Sequence, residues 1–305
     1  MALPNRYPVI FNPKARSQRG RGALRFLMEN AGRFVLYATN HSGEARELAA
    51  GLAAAGEKVV IAAGGDGTVN EVVGGLAGSD TALAVLPTGT MNVFARELGM
   101  PLGNLDQCLE VIARGIVREI DLFEANGSPF VQMAGVGFDA KVIEGTTWKS
   151  KMALGPLAYL LAAVKVLGER PPLLEVRCDD GRVETGVAVL AGNGALYGGP
   201  FRFFHKADNR DSMLDVLVYK KAGYRLVLDS LRGLARGGID RVSETVYLQT
   251  GGFVVDGGEP VPVEVDGELL GRFKATRFAP AGHRLRVIAP EEPAAGAKAW
   301  PERED

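Results

Sequence analysis

The first 120 residues alternate short β-branched runs with segments of helical spacing, which is the feature that most restricts the fold. Four runs predict buried strands: Tyr7–Phe11, Phe34–Tyr37, Val59–Ala62 and Leu83–Leu86. Three segments between and after them predict helices: Gly22–Asn30, Glu44–Ala55, with Ser42 as its candidate N-cap, and Val69–Leu76. Such alternation predicts a parallel sheet with helices on both faces, and ligands bind these sheets at the carboxyl ends of the strands.

After about residue 125 the pattern changes to short strands at turn-rich spacing. The predicted strands are Phe130–Ala134, Leu173–Arg177, Val187–Ala191, Val216–Tyr219, Val242–Leu248, Phe253–Asp256, Val261–Val265 and Leu285–Ile288, and the clearest helices are Met152–Leu167 and Leu226–Ala235. We therefore predict an α/β chain with an N-terminal three-layer α/β domain at 1–124 and a C-terminal β-rich sandwich domain at 125–290. The Pro-, Ala- and charge-rich tail at 291–305 is expected to be disordered.

Composition and charge exclude several classes of protein. A net charge of −1 and a pI near 6.4 give a poor footprint for nucleic acid, so no nucleic-acid partner is expected. Cys108 and Cys178 predict reduced thiols, with a single bridge as the alternative. Met1–Pro8 lacks an export signal, and the 16-residue apolar segment Met152–Leu167 is too short to span a bilayer. A cytoplasmic protein is expected, and whether that segment touches lipid stays open.

A glycine-rich run directly follows the strand Val59–Ala62 and carries the strongest chemical signal. It reads Gly64-Gly65-Asp66-Gly67-Thr68-Val69-Asn70-Glu71. Its glycines let the backbone turn sharply and present N–H groups to phosphate oxygens, and the next helix points its positive end at the same place. Asp66 would repel phosphate unless Mg²⁺ or a substrate hydroxyl lies between them. The alternative is a tight turn in which Asp66 only caps the helix.

Two further loops are expected at the same edge of the sheet. Pro87–Arg96 follows the next strand, and its Thr90 or Asn92 can bind phosphate or ribose, or cap the helix Val93–Leu98. The first strand is followed by Asn12-Pro13-Lys14-Ala15-Arg16, part of a basic cluster with Arg19, Arg21 and Arg25. A solvated basic face is the alternative for that cluster.

The second half contains two acidic segments. Glu264-Val265-Asp266-Gly267-Glu268 predicts a hairpin turn with surface carboxylates, unless one of them points into a cleft to deprotonate a hydroxyl. The loop Asp208–Asp215 predicts a turn that could also hold a hard cation such as Mg²⁺. Gly135–Ala140 matches G-x-G-x-x-A without a βαβ continuation, and the sequence contains no P-loop motif.

In their order along the chain, these residues resemble the diacylglycerol kinase catalytic family, which includes bacterial soluble lipid kinases and sphingosine kinases. The resemblance runs from about Val9 to Ile288. Beyond the segments already quoted, it rests on Asp121-Leu122, Asn126-Gly127, Asn193-Gly194 and Gly198-Gly199. It implies that ATP and lipid meet in a cleft between the two domains.

The resemblance also implies roles for individual residues. ATP would contact Asn12, Pro13, Lys14, Ala15, Arg16, Thr39, Gly64, Gly65, Asp66, Gly67, Thr68, Val69, Asn70 and Thr90. A structural Mg²⁺ would be held by the Asp211 carboxylate and the backbone carbonyls of Asp208 and Met213. Glu268 would accept the proton of the lipid hydroxyl with Asp266 close by, and Asp66 would help to organise Mg²⁺–ATP. The partners would be a diacylglycerol-like lipid and, transiently, a membrane surface, and a homodimer stays open.

Three departures from the family pattern bear on these roles. The family's N-P-x-S-G reads Asn12-Pro13-Lys14-Ala15-Arg16 here, its usual Asp is replaced by Val93, and its usual D-G reads Asp211-Ser212. Two rival functions remain. An NAD kinase shares the G-G-D-G-T loop but is expected to resemble the first half only, and a nucleotide-binding regulatory protein would bind ATP without transfer.

Overall fold

The computed structural model describes residues 6–13, 18–137, 172–221 and 245–291. These residues form two compact units. The first contains the described residues up to Leu122 together with those from Gly282 onward, and the second contains those from Phe123 to Ala281. Among the described residues, no helix is long and apolar enough to cross a membrane.

The first unit is built on a parallel sheet. Its elements are β1 (Tyr7–Phe11), α1 (Gln18–Glu29), a 3-10 turn (Ala31–Arg33), β2 (Phe34–Ala38), α2 (Glu44–Ala54), β3 (Val59–Gly64), α3 (Asp66–Leu76), β4 (Ala82–Pro87), α4 (Val93–Glu97), α5 (Leu105–Arg114) and the start of β5 (Val117–Ala125). The parallel strands run in the order β2-β1-β3-β4, and every residue of β3 and β4 is buried. Continuous apolar strands of this kind are typical of parallel sheets that are covered on both faces.

Two helix boundaries differ from the prediction in an informative way. Helix α3 begins at Asp66, three residues before the predicted start, so the glycine run itself forms its first turn. Helix α2 is capped by Gly43 in a left-handed conformation and not by the predicted Ser42. Helix α5 was not predicted, although Asn104 accepts a hydrogen bond from the Gln107 N–H at its start and a left-handed Gly115 ends it.

The second unit is an antiparallel β structure. Its further elements are β6 (Ser128–Phe130), β7 (Met133–Gly137), β8 (Leu174–Cys178), β9 (Val183–Gly186), β10 (Ala188–Gly192), β11 (Leu196–Tyr197), β12 (Phe201–Arg202), β13 (Leu214–Tyr219), β14 (Thr245–Thr250), β15 (Phe253–Val265) and β16 (Glu268–Ile288). The main sheet runs β14-β13-β10-β7-β15-β16. Its core includes a stacked pair of rings, Phe253 and Phe278, against which Phe130 packs edge-on. The α/β fold class, with a parallel N-terminal sheet and a β-rich C-terminal part, is therefore confirmed.

The last strand returns to the first unit. The end of β16 pairs in parallel with β4 through Val287 and Leu83, and Arg286 donates a 2.9 Å hydrogen bond to the Asp80 carbonyl. Arg284 forms a 3.0 Å ion pair with Asp121. The predicted scheme assigns all of 125–290 to the β-rich domain, whereas these contacts place the residues from Gly282 onward with the α/β unit.

Other predicted elements changed their limits. The strand predicted at Phe130–Ala134 is two strands, because Val131 and Gln132 leave the ladder, while the strands predicted at Phe253–Asp256 and Val261–Val265 are parts of β15. Cys108 and Cys178 are buried free thiols, as predicted. The helices predicted at Met152–Leu167 and Leu226–Ala235 and the tail at 291–305 lie outside the described residues.

Candidate functional site

The glycine run forms the turn between β3 and α3. Gly65 takes an extended conformation as the N-cap of α3 and, as a glycine, has no side chain with which to cap the helix. Gly64 packs closely against Thr68: a β carbon on Gly64 would be only 2.4 Å from the Thr68 β carbon, so no side chain fits at residue 64. Such an N-terminus, with backbone N–H groups and the positive end of the helix dipole, suits a phosphate group. Val69 and Asn70 are buried, so contact between them and a ligand would have to come mainly from the backbone.

The second loop packs against the first. A β carbon on Gly89 would lie 2.4 Å from the Gly65 α carbon, so the two backbones touch where no side chain fits. The Thr88 N–H also donates to the Gly64 carbonyl at 3.0 Å. Thr90 is exposed beside this contact. The two predicted ligand loops are therefore held in contact at the carboxyl edge of the sheet.

Asn92 and Asp66 fix the shape of the second loop. Asn92 is left-handed, with φ 49°, and its side chain accepts from the Gly89 N–H and donates to the Gly89 carbonyl, both at 2.9 Å. Asn92 is the N-cap residue of α4, but its side chain makes no capping hydrogen bond to that helix. The Phe94 N–H instead donates to Asp66 Oδ1 at 3.3 Å. Asp66 thus connects the glycine run to the start of α4, next to Val93.

The ends of β1 and β2 complete this edge. Asn12 and Pro13 are exposed after β1, and Thr39 follows β2. The Thr39 N–H donates to the Phe11 carbonyl at 2.9 Å, which ties the two strand ends together. Because β1 lies between β2 and β3 in a parallel sheet, these residues share one edge with Gly64. Lys14, Ala15 and Arg16, predicted to bind ATP, lie outside the described residues.

Glu71 is a functional candidate to which the sequence analysis gave no role. Its carboxylate accepts hydrogen bonds from the N–H groups of Gly43 at 2.9 Å and Ala45 at 3.1 Å and from the Ser42 hydroxyl at 3.4 Å. A carboxylate at a helix N-terminus also interacts favourably with the helix dipole. Glu71, on α3, therefore supplies the cap of α2 and holds the turn that follows Thr39. The only sign of this role in the sequence is that Glu71 is the last residue of the glycine motif.

In the second unit, the predicted hairpin turn is confirmed. Val265 pairs with Glu268 across Asp266 and Gly267, which have φ values of 48° and 83°. Positive φ at both central residues defines a type I′ turn. Glu268, the predicted proton acceptor, is exposed at the start of β16, whereas Asp266 is buried and faces the backbone between β6 and β7.

The predicted metal loop precedes β13. Oδ1 of Asp211 accepts from the Met213 N–H at 2.9 Å, and the Asp208 carbonyl accepts from the Asp211 N–H at 3.2 Å. Ser212 has φ 61°, so it takes the left-handed conformation for which the family pattern has glycine. The Asp208 carboxylate forms an ion pair with Arg210 at 3.1 Å. The candidate metal ligand at this residue is therefore its backbone carbonyl oxygen.

These oxygens fit a hard cation in kind, since Mg²⁺ prefers carboxylate, carbonyl and water ligands. Across the described ranges, no three His, Cys, Asp or Glu side chains are grouped to hold a metal, so such a site would depend on the carbonyls of Asp208 and Met213. Nearby, burial raises the pKa of Asp215, while a hydrogen bond from the Tyr247 hydroxyl opposes this shift.

Two family models match the chain, one in each half. Residues 6–125 match the model of the diacylglycerol kinase catalytic domain, and residues 132–289 match that of the YegS C-terminal NAD kinase beta sandwich-like domain. The second description corrects the expectation that likeness to NAD kinases ends with the first half.

Relatives match over nearly the whole chain. A diacylglycerol kinase of Bacillus subtilis is 30% identical over 94% of this chain and 97% of its own length. A "Probable lipid kinase YegS-like" of Pseudomonas aeruginosa is 32% identical over 92% and 93%. A solved structure from Bacillus anthracis str. Sterne has a TM-score of 0.78 at 25% identity and covers 94% of this chain and 96% of that one. The chain therefore belongs to the family of diacylglycerol kinases and YegS-like lipid kinases.

Proposed function

We propose that the protein transfers the γ-phosphoryl group of ATP to a hydroxyl of diacylglycerol or a similar lipid. The observation that carries this proposal is the contact between Gly65 and Gly89, which sets two loops side by side at the positive end of α3. Phosphoryl transfer depends mainly on positioning and on stabilising charge, and backbone N–H groups at a helix N-terminus provide both for phosphate. The relatives named as lipid kinases support the acceptor class.

In the proposed reaction, the lipid hydroxyl oxygen forms a bond to the γ-phosphorus while the bond between that phosphorus and the β,γ-bridging oxygen breaks. ADP leaves with the bridging oxygen. The hydroxyl proton passes to the carboxylate of Glu268, which is exposed on the hairpin and is available to a substrate. Glu268 acts as a general base, a role that typically contributes 10²- to 10⁴-fold to the rate.

The first unit would bind ATP through its loop edge. The N–H groups of the first turn of α3 would hold phosphate oxygens, and Thr39, Asn12 and Thr90 lie along the same edge for the rest of the nucleotide. Mg²⁺ bound with ATP supplies neutralisation of phosphate charge. Asp66 would orient that complex, and its Oδ1 is held in place by the hydrogen bond from the Phe94 N–H. The carboxylate of Asp211 and the carbonyls of Asp208 and Met213 would hold a second, structural Mg²⁺.

The test is transfer of labelled γ-phosphate from ATP into an organic-extractable product. Micelles of diacylglycerol, phosphatidylglycerol, ceramide and sphingosine are supplied separately, with and without Mg²⁺. We expect Mg²⁺-dependent product from one lipid, loss of at least about a hundredfold in rate in Glu268→Gln, and a comparable loss in Asp66→Asn. Glu259→Gln, which changes an exposed glutamate elsewhere on β15, is the matched control and should keep the wild-type rate.

Two outcomes would replace the proposal. Formation of NADP from NAD and ATP, without labelled lipid, would identify an NAD kinase, a result that the sandwich domain's description makes worth testing. Tight ATP binding with no product from any acceptor would favour a nucleotide-binding regulatory protein. Association with a membrane surface during turnover is part of the proposal, because the acceptor is a lipid.

A further inference from the structure

The carboxylate of Asp266 is occupied by backbone donors. Oδ1 accepts from the N–H groups of Gln132 at 2.9 Å and Met133 at 3.0 Å, and Oδ2 accepts from that of Val131 at 3.0 Å. The Asp266 N–H also donates to the Met133 carbonyl at 2.8 Å. The residue is only 7% exposed. Four hydrogen bonds therefore join the tip of the β15–β16 hairpin to the short segment between β6 and β7.

This segment needs such partners because Val131 and Gln132 lie between two strands. Buried backbone groups outside a ladder must be satisfied by other groups. On the carbonyl side, Asn193 fills that need: its Nδ2 donates to the Val131 carbonyl at 2.8 Å and its N–H to the Gln132 carbonyl at 2.9 Å. The Gln132 side chain continues to the Leu196 carbonyl at 2.9 Å. Asn193, part of a motif with no role so far, thus belongs to the same network.

From these contacts we infer that Asp266 is a positioning residue, which fixes the hairpin tip and so orients Glu268, and that it does not itself take the substrate proton. The inference rests on the proposed role of Glu268. Glu268 is two residues after Asp266 and is the last residue of the type I′ turn. The turn therefore determines where the Glu268 backbone lies. Asp is one of the few non-glycine residues that adopt the left-handed conformation, and the three N–H groups bound by the Asp266 carboxylate hold it there. Protonation of that carboxylate would weaken the same three bonds.

A graded series of variants separates positioning from proton transfer. In Asp266→Asn the carbonyl oxygen can keep up to two of the three N–H partners, whereas Asp266→Ala keeps none. Asp256→Asn is the matched control, because Asp256 lies within β15 and its Oδ1 accepts one N–H bond, from Gly258 at 2.8 Å, at an exposed position. Amide hydrogen exchange at Val131, Gln132 and Met133, measured without substrate, reports the network. The turnover number with the accepted lipid shows whether loss of this hydrogen-bond network impairs catalysis.

If Asp266 is a positioning residue, we expect three results together. Exchange at the three amides accelerates by about tenfold or more in Asp266→Ala, less in Asp266→Asn and not in Asp256→Asn. The turnover number falls in the same order, while the KM for ATP stays within about twofold, because the nucleotide residues lie in the other unit. The pH–rate profile of Asp266→Asn keeps its wild-type shape, because Glu268 remains the general base.

Two results would overturn the inference. A pH–rate profile that loses its acidic limb in Asp266→Asn would make Asp266 the proton acceptor. Unchanged exchange at residues 131–133 in both variants would show that Asp266 does not fix the turn. If the wild-type protein transfers phosphate to no lipid, the proposed function fails, and the exchange comparison still decides whether Asp266 fixes the turn.

Discussion

Gly65 and Gly89 come from different loops, yet the α carbon of one occupies the space where a β carbon of the other would be. The contact joins the loop after β3 to the loop after β4. Neighbouring parallel strands bring their ends together in any case, but the two backbones approach this closely because residue 89 has no β carbon. The spacing of the two loops is thus determined by the absence of side chains.

Gly89→Ala is expected to weaken ATP binding by at least about tenfold, because the new methyl group would lie 2.4 Å from the Gly65 α carbon and 2.7 Å from Asn92 Oδ1. ATP affinity measured by titration calorimetry checks this. Gly32→Ala, where the methyl group meets open space, is the control and should bind ATP normally. An affinity within twofold of the wild type in Gly89→Ala would show that the loop contact does not shape the nucleotide site.

Two glycines in packed helices should respond in opposite directions to the same substitution. In Gly75→Ala the methyl group would lie 2.3 Å from the Arg46 carbonyl oxygen and 2.7 Å from the Ala49 β carbon. Because this would push α2 and α3 apart, the free energy of unfolding should fall by about 1–3 kcal/mol. Gly51 is exposed in α2 with nothing nearby, and Gly51→Ala should stabilise the protein by about 0.5–1 kcal/mol. Urea unfolding measures both, and a shared sign would refute this account.

Glu71→Ala should lower the free energy of unfolding by about 1–2 kcal/mol, because it removes the carboxylate that accepts from Gly43, Ala45 and Ser42. Glu71→Gln should lose less, since an amide oxygen can still accept. Glu47→Ala is the control: this glutamate is exposed in the first turn of α2 and should change stability by less than about 0.5 kcal/mol. Equal decreases in the free energy of unfolding in Glu71→Ala and Glu47→Ala would mean that the hydrogen bonds of Glu71 to the start of α2 do not stabilise the protein.

Burial raises the pKa of the Cys108 thiol to about 12. Because the thiolate is the reactive form, a raised pKa keeps the group protonated, and at pH 8 only about one molecule in ten thousand carries the thiolate. In a Cys178→Ser variant, the native protein should therefore resist iodoacetamide at pH 8, and the rate should still be rising at pH 10. The same variant in urea should react quickly, with a rate that levels off above about pH 9. Fast alkylation of the native variant at pH 8 would contradict the buried thiol.

Much of the first unit could be predicted from sequence because its central strands are buried on both faces. Val59–Ala62 and Leu83–Leu86 form unbroken apolar runs, and the structure extends each by two residues. Helix α5 was missed although Asn104 and Gly115 mark its ends. In the β-rich part, the two strands predicted at Phe253–Asp256 and Val261–Val265 are one strand, β15, whose register with β16 shifts between Asp256 and Val261.

The candidate site shows what local patterns leave out. The D-G pair predicted the turn at Asp266 correctly, because a type I′ turn is a two-residue property. The partners of the Asp266 carboxylate, Val131 to Met133, lie far away in sequence, and no spacing rule connects them. Glu71 is similar: its motif was recognised, but its contacts with Gly43 and Ala45 exist only after α2 and α3 have packed.

The pairing of Val287 with Leu83 has a consequence for how the chain is made. The sheet of the first unit takes its neighbour for β4 from the end of β16, which leaves the ribosome only after the entire β-rich part has been synthesised. A nascent chain that has reached Leu122 therefore has every nucleotide loop of that unit but an open strand edge beside β4. Exposed edges of this kind invite pairing with other chains. The sheet whose first four strands precede the β-rich part in the chain is thus completed only after that part, by the end of β16.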